Sequence, residues 1–309
     1  MRILHVNKFF DLHGGAEVYM HRLMEAERAA GHEVHAFSTA DPKNLPSSDA
    51  ARFVTRLELS RSHGFMADSH KAARFLWNRE AGRAMGLAIH DLRPDVVHLH
   101  NIYHHLSSSI LAPIRAAKLP CVQTLHDYKL ACPNYRMFTE GLVCERCKGG
   151  KYLEAVKHRC LASGLVPNVL AALEMGMTKA RQTYERTVRV FVCPSHFLLE
   201  KMQDWGEPPG KLRYLPNPVE LPAAPVGRGG GYLMYAGRLA VEKGLASFLE
   251  AAVQLPELPI KIAGRGPEEE RLKSLVRSRG ATHIEFVGFQ IPAALAALRA
   301  RAEAVILPS

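Results

Sequence analysis

The sequence predicts an α/β protein made of two doubly wound domains, each a parallel sheet with helices on both faces. Short β-branched runs alternate with longer helical stretches, and several runs are apolar on both faces, as covered parallel strands are. Between two groups of runs lies 217–231, NPVELPAAPVGRGGG, whose dense proline and glycine triplet exclude both a helix and an inner strand. We therefore predict a first domain over 1–216, this linker, and a second, incomplete domain over 232–309.

The individual elements follow from the spacing of apolar residues. Strands are expected in short apolar runs, and helices where apolar residues recur three and four positions apart. The predicted strands are 3–6, 33–39, 95–100, 121–126, 189–195, 212–215, 232–237, 260–264, 284–288 and 304–309. The predicted helices are 15–30, 68–92, 242–254, 267–279 and 291–301. The second domain has about half the size expected of a doubly wound domain.

Composition narrows the choice of partners. The 309 residues carry a net charge of +10, which favours phosphate-bearing ligands or an anionic membrane surface. No run of five basic residues exists, so nucleic acid is the weaker interpretation. No apolar stretch approaches the roughly 18 residues of a membrane-spanning helix, and the start, MRILHVNKFF, has no signal-peptide cleavage site. The expected location is the cytoplasm.

Two segments of the first domain end strands with residues that suit a binding site. Gly14 and Gly15 follow the first strand and open a helix, so backbone N–H groups and the helix dipole can face an anion or sugar hydroxyls. His126 and Asp127 follow an apolar strand, at the edge where open α/β sheets place ligands. His126 can donate a hydrogen bond to a phosphate or to an acceptor hydroxyl. The alternatives are an ordinary tight turn and a histidine that caps a strand end.

The second domain offers two further segments. Arg238 ends a strand and Lys243 starts the next helix, so two cations converge on one helix N-terminus and favour an anion such as phosphate. Two solvated surface cations are the alternative. Gly264 and Gly266 leave room for a flat group against the backbone, and Pro267 suits a helix start. The third glycine of the dinucleotide fingerprint is absent, which weighs against a nicotinamide enzyme.

Four cysteines lie in an insert, 130–160, that follows His126. Their spacing is C-x11-C-x2-C-x12-C, and a C-x2-C pair on a glycine-flanked turn is typical of half a tetrahedral zinc site. We predict a structural zinc, with His158 as a substitute ligand; reduced thiols in a loop are the alternative, and disulfides are not expected. Cys121 and Cys193 fit small core positions. The predicted zinc ligands are Cys132, Cys144, Cys147 and Cys160.

The order and spacing of these segments are more specific than any one of them. The chain resembles the retaining nucleotide-sugar glycosyltransferases of family 4, which have the GT-B fold, two Rossmann-like domains facing a cleft. The resemblance implies transfer of a sugar from a nucleotide-diphosphate sugar to a glycan or lipid-linked acceptor, in cell-surface polysaccharide or glycolipid synthesis. The matching segments are GGAE at 14–17, HD at 126–127, CPS at 193–195, PNPV at 216–219, GRL…EKG at 237–244, GRGP at 264–267 and VGF at 287–289.

The resemblance also implies roles for single residues. Gly15 would lie against the donor diphosphate or the acceptor, and His126 beside the transferred sugar. Arg238 and Lys243 would neutralise the leaving diphosphate where other enzymes use a divalent metal, so no catalytic metal is expected. The other residues assigned to donor or acceptor binding are Gly14, Glu17, Asp127, Gly237, Gly264, Gly266, Pro267 and Gly288.

Members of the family continue past the Pro-Ser turn at 308–309 into an acidic segment, whose two glutamates contact the donor sugar and the ribose. The printed sequence stops before that segment, so we expect weak or no transfer by this chain alone. The alternatives are a non-catalytic nucleotide- or glycan-binding remnant and a sugar-nucleotide epimerase.

The helical stretch over 70–92 is basic and amphipathic. Such a helix would suit peripheral contact with the anionic inner face of a membrane and a lipid-linked acceptor. An ordinary solvated helix face is the alternative. The cations are Lys71, Arg74, Arg79 and Arg83, and the candidate core residues are Phe75, Leu76, Met85 and Leu87.

Overall fold

The computed structural model of the chain describes residues 1–12, 14–58, 65–161, 164–219 and 229–308. The chain divides into two compact units, Met1–Pro218 and Val219–Ser309, here called unit 1 and unit 2. Residues 220–228, which make up most of the predicted linker 217–231, lie outside the described residues.

Unit 1 is built around a six-stranded sheet in which every pairing is parallel. Its strands are β1 (Arg2–Val6), β2 (Glu33–Phe37), β3 (Val96–Leu99), β4 (Cys121–Thr124), β5 (Val190–Cys193) and β6 (Leu212–Tyr214). They lie in the order β6-β5-β4-β3-β1-β2. The order reverses between β1 and β3, and such a switch point leaves a crevice at the carboxyl ends of the strands. Cys121 and Cys193 are fully buried in this sheet, as predicted.

Helices cover both faces of this sheet. Alternate residues of a strand point to opposite faces, so Leu4 of β1 belongs to the main hydrophobic core with Met85, whereas His5 faces the first helix. The helices are α1 (Gly15–Ala29), α2 (Phe65–Leu76), α3 (Arg79–Leu92), α4 (Leu111–Ala116), α5 (Glu154–Lys157), α6 (Leu165–Ala180), α7 (Thr183–Thr187) and α8 (His196–Asp204). Short 3-10 turns span Ala50–Arg52, Ser108–Ile110, Lys148–Gly150 and Pro209–Lys211. Two short strand pairs join Thr39–Ala40 to Val54–Thr55 and Phe138–Thr139 to Leu142–Val143.

The stretch predicted as one helix over 68–92 is two helices, α2 and α3, which meet at Asn78. The side chain of Asn78 accepts a hydrogen bond from the N–H of Ala81 (3.1 Å), and its own N–H donates to Ser107 Oγ (2.8 Å). These bonds hold Asn78 in an extended conformation that caps α3. The prediction of a single helix was therefore wrong, and so was the core position of Leu87, which is 64% exposed.

Unit 2 is built around a four-stranded parallel sheet. Helices α9 and α10 pack on one face, around Ile262, and α11 packs on the other, around Met234. The order of the strands reverses between β7 and β10, so the loop after β7 lies at a second switch point. The elements are β7 (Leu233–Ala236), α9 (Leu245–Ala252), β8 (Ile260–Ala263), α10 (Glu269–Ser278), β9 (Ile284–Gly288), α11 (Pro292–Arg301) and β10 (Ala304–Val305), in the sheet order β9-β8-β7-β10.

Candidate functional site

The first candidate site lies at the switch point of unit 1, where the loops after β1 and β3 meet. Asn7 follows β1, and its Oδ1 accepts a hydrogen bond from the N–H of Asn101 (2.9 Å), which follows β3. The N–H of Lys8 donates to the carbonyl oxygen of Asn101 (2.8 Å). Glu17, in the first turn of α1, is buried, and its Oε1 accepts from Asn7 Nδ2 (3.0 Å). The start of α1 is therefore bonded to the same edge of the sheet.

Gly14 and Gly15 stand beside these loops at the start of α1. A Cβ at Gly14 would lie 3.3 Å from Oε2 of Glu17, whereas a Cβ at Gly15 would meet no atom within 4 Å. Open space therefore adjoins the backbone of Gly15 at a helix N-terminus, where N–H groups lack partners within the helix. This geometry is compatible with the predicted approach of a ligand, which stays a prediction.

Charged side chains crowd the same edge. Burial raises the pKa of Asp127 to about 6, although the N–H of Lys129 and the charge of Lys8 oppose the rise. Burial also lowers the pKa of Lys8 to about 8, and its Nζ lies 4.1 Å from the ring centre of Tyr103. Lys129 and Glu174 form a buried ion pair, with Nζ and Oε2 2.5 Å apart. Perturbed groups gathered at strand ends are typical of functional sites.

His126 is the last of three hydrogen-bonded histidines, here called the histidine line: His5, His100 and His126. Its Nε2 lies 3.0 Å from Nδ1 of His100, and Nε2 of His100 lies 3.1 Å from Nδ1 of His5. The line ends at Glu27 of α1, whose Oε2 lies 2.6 Å from Nε2 of His5. The ring of Tyr19 packs against His126 at 5.1 Å between centres. Burial lowers the pKa of His126 to about 4, so its imidazole is neutral at pH 7.

Sequence patterns located only part of this site, and Lys8 and Glu27 were not predicted. A signal for the histidine line was present, because His98 and His100 are two residues apart and so share a face of the sheet. His5 stands opposite His98 in the pairing of β1 with β3. The predicted residues that the structure brings to this edge are Gly14, Gly15, Glu17, His126 and Asp127.

The second candidate site lies at the switch point of unit 2. Arg238 follows β7 and is exposed, and Lys243 is half-buried at the end of a 3-10 turn that precedes α9. Among the described residues of unit 2, carboxylate partners are found for Lys261, Arg271 and Lys273. Arg238 and Lys243 have none there, which is compatible with the predicted anion site. That site stays a prediction.

Glycines allow two loops of unit 2 to touch. A Cβ at Gly264 (φ 138°) would lie 1.9 Å from the carbonyl oxygen of Gly237, and one at Gly266 would lie 2.1 Å from that of Leu239. Our interpretation that these glycines leave room for a flat group is wrong on that side, because the protein's own backbone fills the space. Gly288 lies next to these loops, since its carbonyl oxygen accepts a hydrogen bond from the N–H of Gly264 (2.8 Å).

Two helices of unit 2 begin later than predicted. Gly244 has a left-handed conformation (φ 66°), so α9 begins at Leu245 and Lys243 lies before it. Helix α10 begins at Glu269, so Pro267 lies in the preceding turn rather than in the first helical position.

The four cysteines of the insert are neighbours, and all of them are free. Cys132 and Cys147 are buried, whereas Cys144 and Cys160 are half-buried. Burial raises the pKa of Cys147 to about 12, and the charges of the other three thiolates add to the rise. Over the described ranges, the group with three candidate ligand atoms within 4.8 Å of one another consists of histidines, not of these cysteines. Zinc binding would require the thiols to move together, and it stays a prediction.

The basic stretch over 70–92 is partly neutralised. Nζ of Lys71 lies 3.5 Å from a carboxylate oxygen of Asp68, and Arg74 pairs with Glu80 at 2.9 Å. None of the helices in the described part of the chain combines the length and apolarity that a membrane span requires. Peripheral membrane contact stays a prediction.

Two family profiles together match nearly the whole chain. The profile described as Glycosyltransferase Family 4 matches residues 13–222, and the one described as Glycosyl transferases group 1 matches 225–309. A glycogen synthase of Mycobacterium tuberculosis (strain CDC 1551 / Oshkosh) is 26% identical over 321 aligned positions, which cover 96% of this chain and 69% of that protein.

Solved structures share the fold. HepE of Anabaena in complex with UDP superposes with a TM-score of 0.61 at 14% identity, covering 100% of this chain and 74% of that one. The apo form of the lipopolysaccharide outer core galactosyltransferase WaaB superposes with a TM-score of 0.58, also at 14% identity and with the same coverages. At such identities the likeness concerns the fold alone.

Proposed function

Because the chain belongs to glycosyltransferase family 4 and has the GT-B fold, we propose that it moves a sugar from a nucleotide-diphosphate sugar to a glycan or lipid-linked acceptor with retention of configuration. The observation that supports this donor class most directly is the position of two cations, Arg238 and Lys243, in the loop after β7 at the switch point of unit 2. The structure of HepE holds UDP, so a UDP-sugar is the first donor to test. The proposed setting is cell-surface polysaccharide or glycolipid synthesis in the cytoplasm.

The proposed reaction needs fixed positive charge. The bond between the anomeric carbon and the phosphate oxygen breaks while the acceptor oxygen bonds to the same face of the sugar. The proton of the acceptor hydroxyl passes to the departing phosphate oxygen. Arg238 and Lys243 stabilise the charge that grows on the diphosphate, and because they supply this stabilisation, we propose no catalytic metal.

The proposed contacts with the transferred sugar and with the acceptor are made by residues of unit 1. The open space at Gly15 supports backbone contact with the donor phosphate or the acceptor. The neutral ring of His126 supports contact with the transferred sugar, since a neutral imidazole offers a hydrogen bond without attracting the leaving diphosphate. We propose that Glu17 supports the site indirectly, because its carboxylate is hydrogen-bonded to Asn7 in the loop after β1.

Binding of UDP, followed by thermal shift, tests the donor site. We expect UDP to raise the Tm of the wild-type protein, and Arg238→Ala and Lys243→Ala each to weaken UDP binding by about tenfold or more. Arg277→Ala removes an exposed arginine from the last turn of α10 and is the matched control, so its UDP affinity should equal that of the wild type. Full stabilisation by UDP in both Arg238→Ala and Lys243→Ala would exclude the anion site.

Vesicle binding tests the lipid-linked form of the acceptor. Arg79 and Arg83 are exposed on α3, whereas Lys71 and Arg74 are paired with carboxylates. We expect the protein to bind vesicles of anionic phospholipid at low salt and to dissociate at high salt. Binding that is unaffected by Arg79→Ala combined with Arg83→Ala would exclude α3 as the contact.

A further inference from the structure

The hydrogen bonds of the histidine line run in one direction. A bond between two ring nitrogens needs an N–H on one and a lone pair on the other, and an ionised carboxylate only accepts. Glu27 therefore takes the Nε2–H of His5, and in a neutral ring this leaves Nδ1 of His5 as an acceptor. His100 must then donate from Nε2, and its Nδ1 accepts the Nε2–H of His126. All three rings share one neutral tautomer, and Nδ1 of His126 keeps a lone pair.

Burial disfavours a charge on His100 and His126, whereas the carboxylate of Glu27 is partly exposed. The side chains of His5 and His100 are fully buried, and burial lowers the pKa of both His100 and His126. Glu27, at the opposite end of the line, is 18% exposed, so water can solvate its charge. The charge that sets the direction of the bonds therefore lies on Glu27, at the solvent-exposed end of the line. The hydrogen bonds between the rings then fix the tautomer of His126.

We propose that Glu27, acting through His5 and His100, is a positioning residue that holds His126 as a hydrogen-bond acceptor at Nδ1. This inference rests on the proposed function, in which His126 contacts the transferred sugar. An ionised phosphate oxygen only accepts and cannot bond to that nitrogen, whereas a sugar hydroxyl can donate to it. The group that His126 meets is therefore a hydroxyl that donates to it, which replaces our expectation that His126 donates to a phosphate or to an acceptor hydroxyl.

A metal ion is the competing explanation for this cluster. Candidate ligand atoms of His5, His98 and His100 lie within 4.8 Å of one another. However, the facing nitrogens of His5 and His100 already bond to each other, and Nε2 of His98 lies 2.8 Å from Oγ1 of Thr124. A metal bound by these three rings would have to break the hydrogen bond between His5 and His100 and the one between His98 and Thr124. Direct hydrogen bonds already account for the observed distances.

NMR of protein labelled with 15N-histidine reads the tautomer of His126 directly, with His126→Asn to assign its resonances. In the wild type we expect a neutral ring with a proton on Nε2 and a lone pair on Nδ1. Glu27→Leu removes the acceptor at similar size, so a second population of His126 protonated on Nδ1 should appear. Glu27→Gln keeps an accepting oxygen and should retain most of the wild-type tautomer. Glu25→Gln, at an exposed position of α1, is the matched control and should leave the spectrum unchanged.

Three results would overturn the inference. A proton on Nδ1 of His126 in the wild type would exclude the acceptor role. Identical tautomers in wild type and Glu27→Leu would exclude Glu27 as the residue that sets them. A stoichiometric metal that co-purifies and is lost in His98→Gln would replace the hydrogen-bonded line by a metal site. All three are measured without a donor, so they are independent of UDP binding, whose failure would remove the proposed function and leave the tautomer result standing.

Discussion

At the scale of single residues, unit 1 contains one buried and one exposed ion pair whose effects on stability differ. Lys129 and Glu174 are buried together, whereas Lys148 and Asp204 form an exposed pair with Nζ and Oδ2 2.7 Å apart. Removing one member of a buried pair leaves the other charge in the interior without compensation, but an exposed charge returns to water. The two pairs therefore have similar geometry and different energetic consequences.

Glu174→Gln is expected to lower the free energy of unfolding by about 3 kcal/mol, because Lys129 remains buried beside a neutral amide. Asp204→Asn makes the same chemical change at the exposed pair and should cost about 0.5 kcal/mol or less. Urea unfolding followed by circular dichroism measures both losses. Equal losses in the two variants would contradict the prediction.

Asp127 gives the stability a pH dependence of known sign. Its pKa rises from 3.8 to about 6 in the folded protein, so the native state binds more protons than the unfolded state between these values. The free energy of unfolding therefore falls as the pH rises from about 4 to about 6. Asp127→Asn removes this cost and can still accept the N–H of Lys129 through its Oδ1.

We expect Asp127→Asn to be more stable than the wild type by about 3 kcal/mol at pH 7 and by about 0.5 kcal/mol or less at pH 4. Urea titrations of both proteins at the two pH values measure the difference. An advantage that is the same at both would show that burial of the carboxylate is not its cause.

At the scale of secondary structure, α1 links both parts of the candidate site in unit 1. Its first turn carries Gly15 at the switch point, and its last turn carries Glu27, whose carboxylate bonds to His5 of the histidine line. One helix therefore has open space beside its first turn and, in its last turn, a carboxylate bonded to a buried histidine. The role of its first turn can be tested separately from its stability.

Gly15→Ala is expected to fold with a free energy of unfolding within about 1 kcal/mol of the wild type, because no atom lies within 4 Å of the added Cβ. The methyl group would occupy the space proposed for the ligand, so the weak sugar transfer expected of this chain should fall by about tenfold or more. Gly86→Ala in α3 is the control, since its Cβ would make an ordinary 3.8 Å contact with Pro113. Transfer rates that match in the two variants would remove Gly15 from the site.

The cysteine insert gives a second prediction at this scale. Elemental analysis of the purified protein is expected to find about one equivalent of zinc, because four thiolates can complete a tetrahedral site. Cys144→Ser should lose the zinc, and Cys121→Ala, in the core of the sheet, should retain it. Zinc far below one equivalent in the wild type, with four reactive thiols in the insert, would exclude the site.

The elements differ in how much local sequence determines them. The segment IEFVG at 284–288 predicted β9 to the residue. The break at Asn78 was not predictable in the same way. Its side chain also donates to the carbonyl oxygen of His105 (2.8 Å), and its backbone bonds to Ser107. These partners lie far along the chain, outside any local window.

At the scale of the whole molecule, the alternation of strands and helices was enough to predict two parallel sheets. Candidate site residues could be named where a strand ended or a glycine pair opened a helix, as at His126 and Gly15, and their roles stay predictions. Lys8 and Glu27 were not, because their significance depends on neighbours that only the folded sheet provides. Burial lowers the pKa of Lys8, and the charge of Asp127, which follows a different strand, opposes that shift. Glu27 bonds to β1 from the end of a helix.

The stability of the unit 2 sheet can be measured within the intact chain, with the sheet of unit 1 as an internal reference. Gly264→Ala is expected to destabilise the sheet of unit 2 by more than about 2 kcal/mol, because the new Cβ would collide with the carbonyl oxygen of Gly237. Gly280→Ala adds only conformational strain (φ 62°), with no atom within 4 Å, and should cost about 1 kcal/mol. Amide hydrogen exchange in β7 and β8 measures both, with amides of β1 as reference. Equal exchange in the two variants would contradict the collision.

The contact between the loops at 237–239 and 264–266 also bears on how such sequences evolve. Because a carbonyl oxygen fills the Cβ position of Gly264 and of Gly266, no side chain fits at either place while the sheet keeps its shape. A descendant that had lost all chemistry would still retain both glycines. In a survey of genomes, Gly-x-Gly at this position therefore marks the architecture. Under the proposed function, descent with activity is better traced through Arg238 and Lys243, the cations proposed to bind the donor diphosphate.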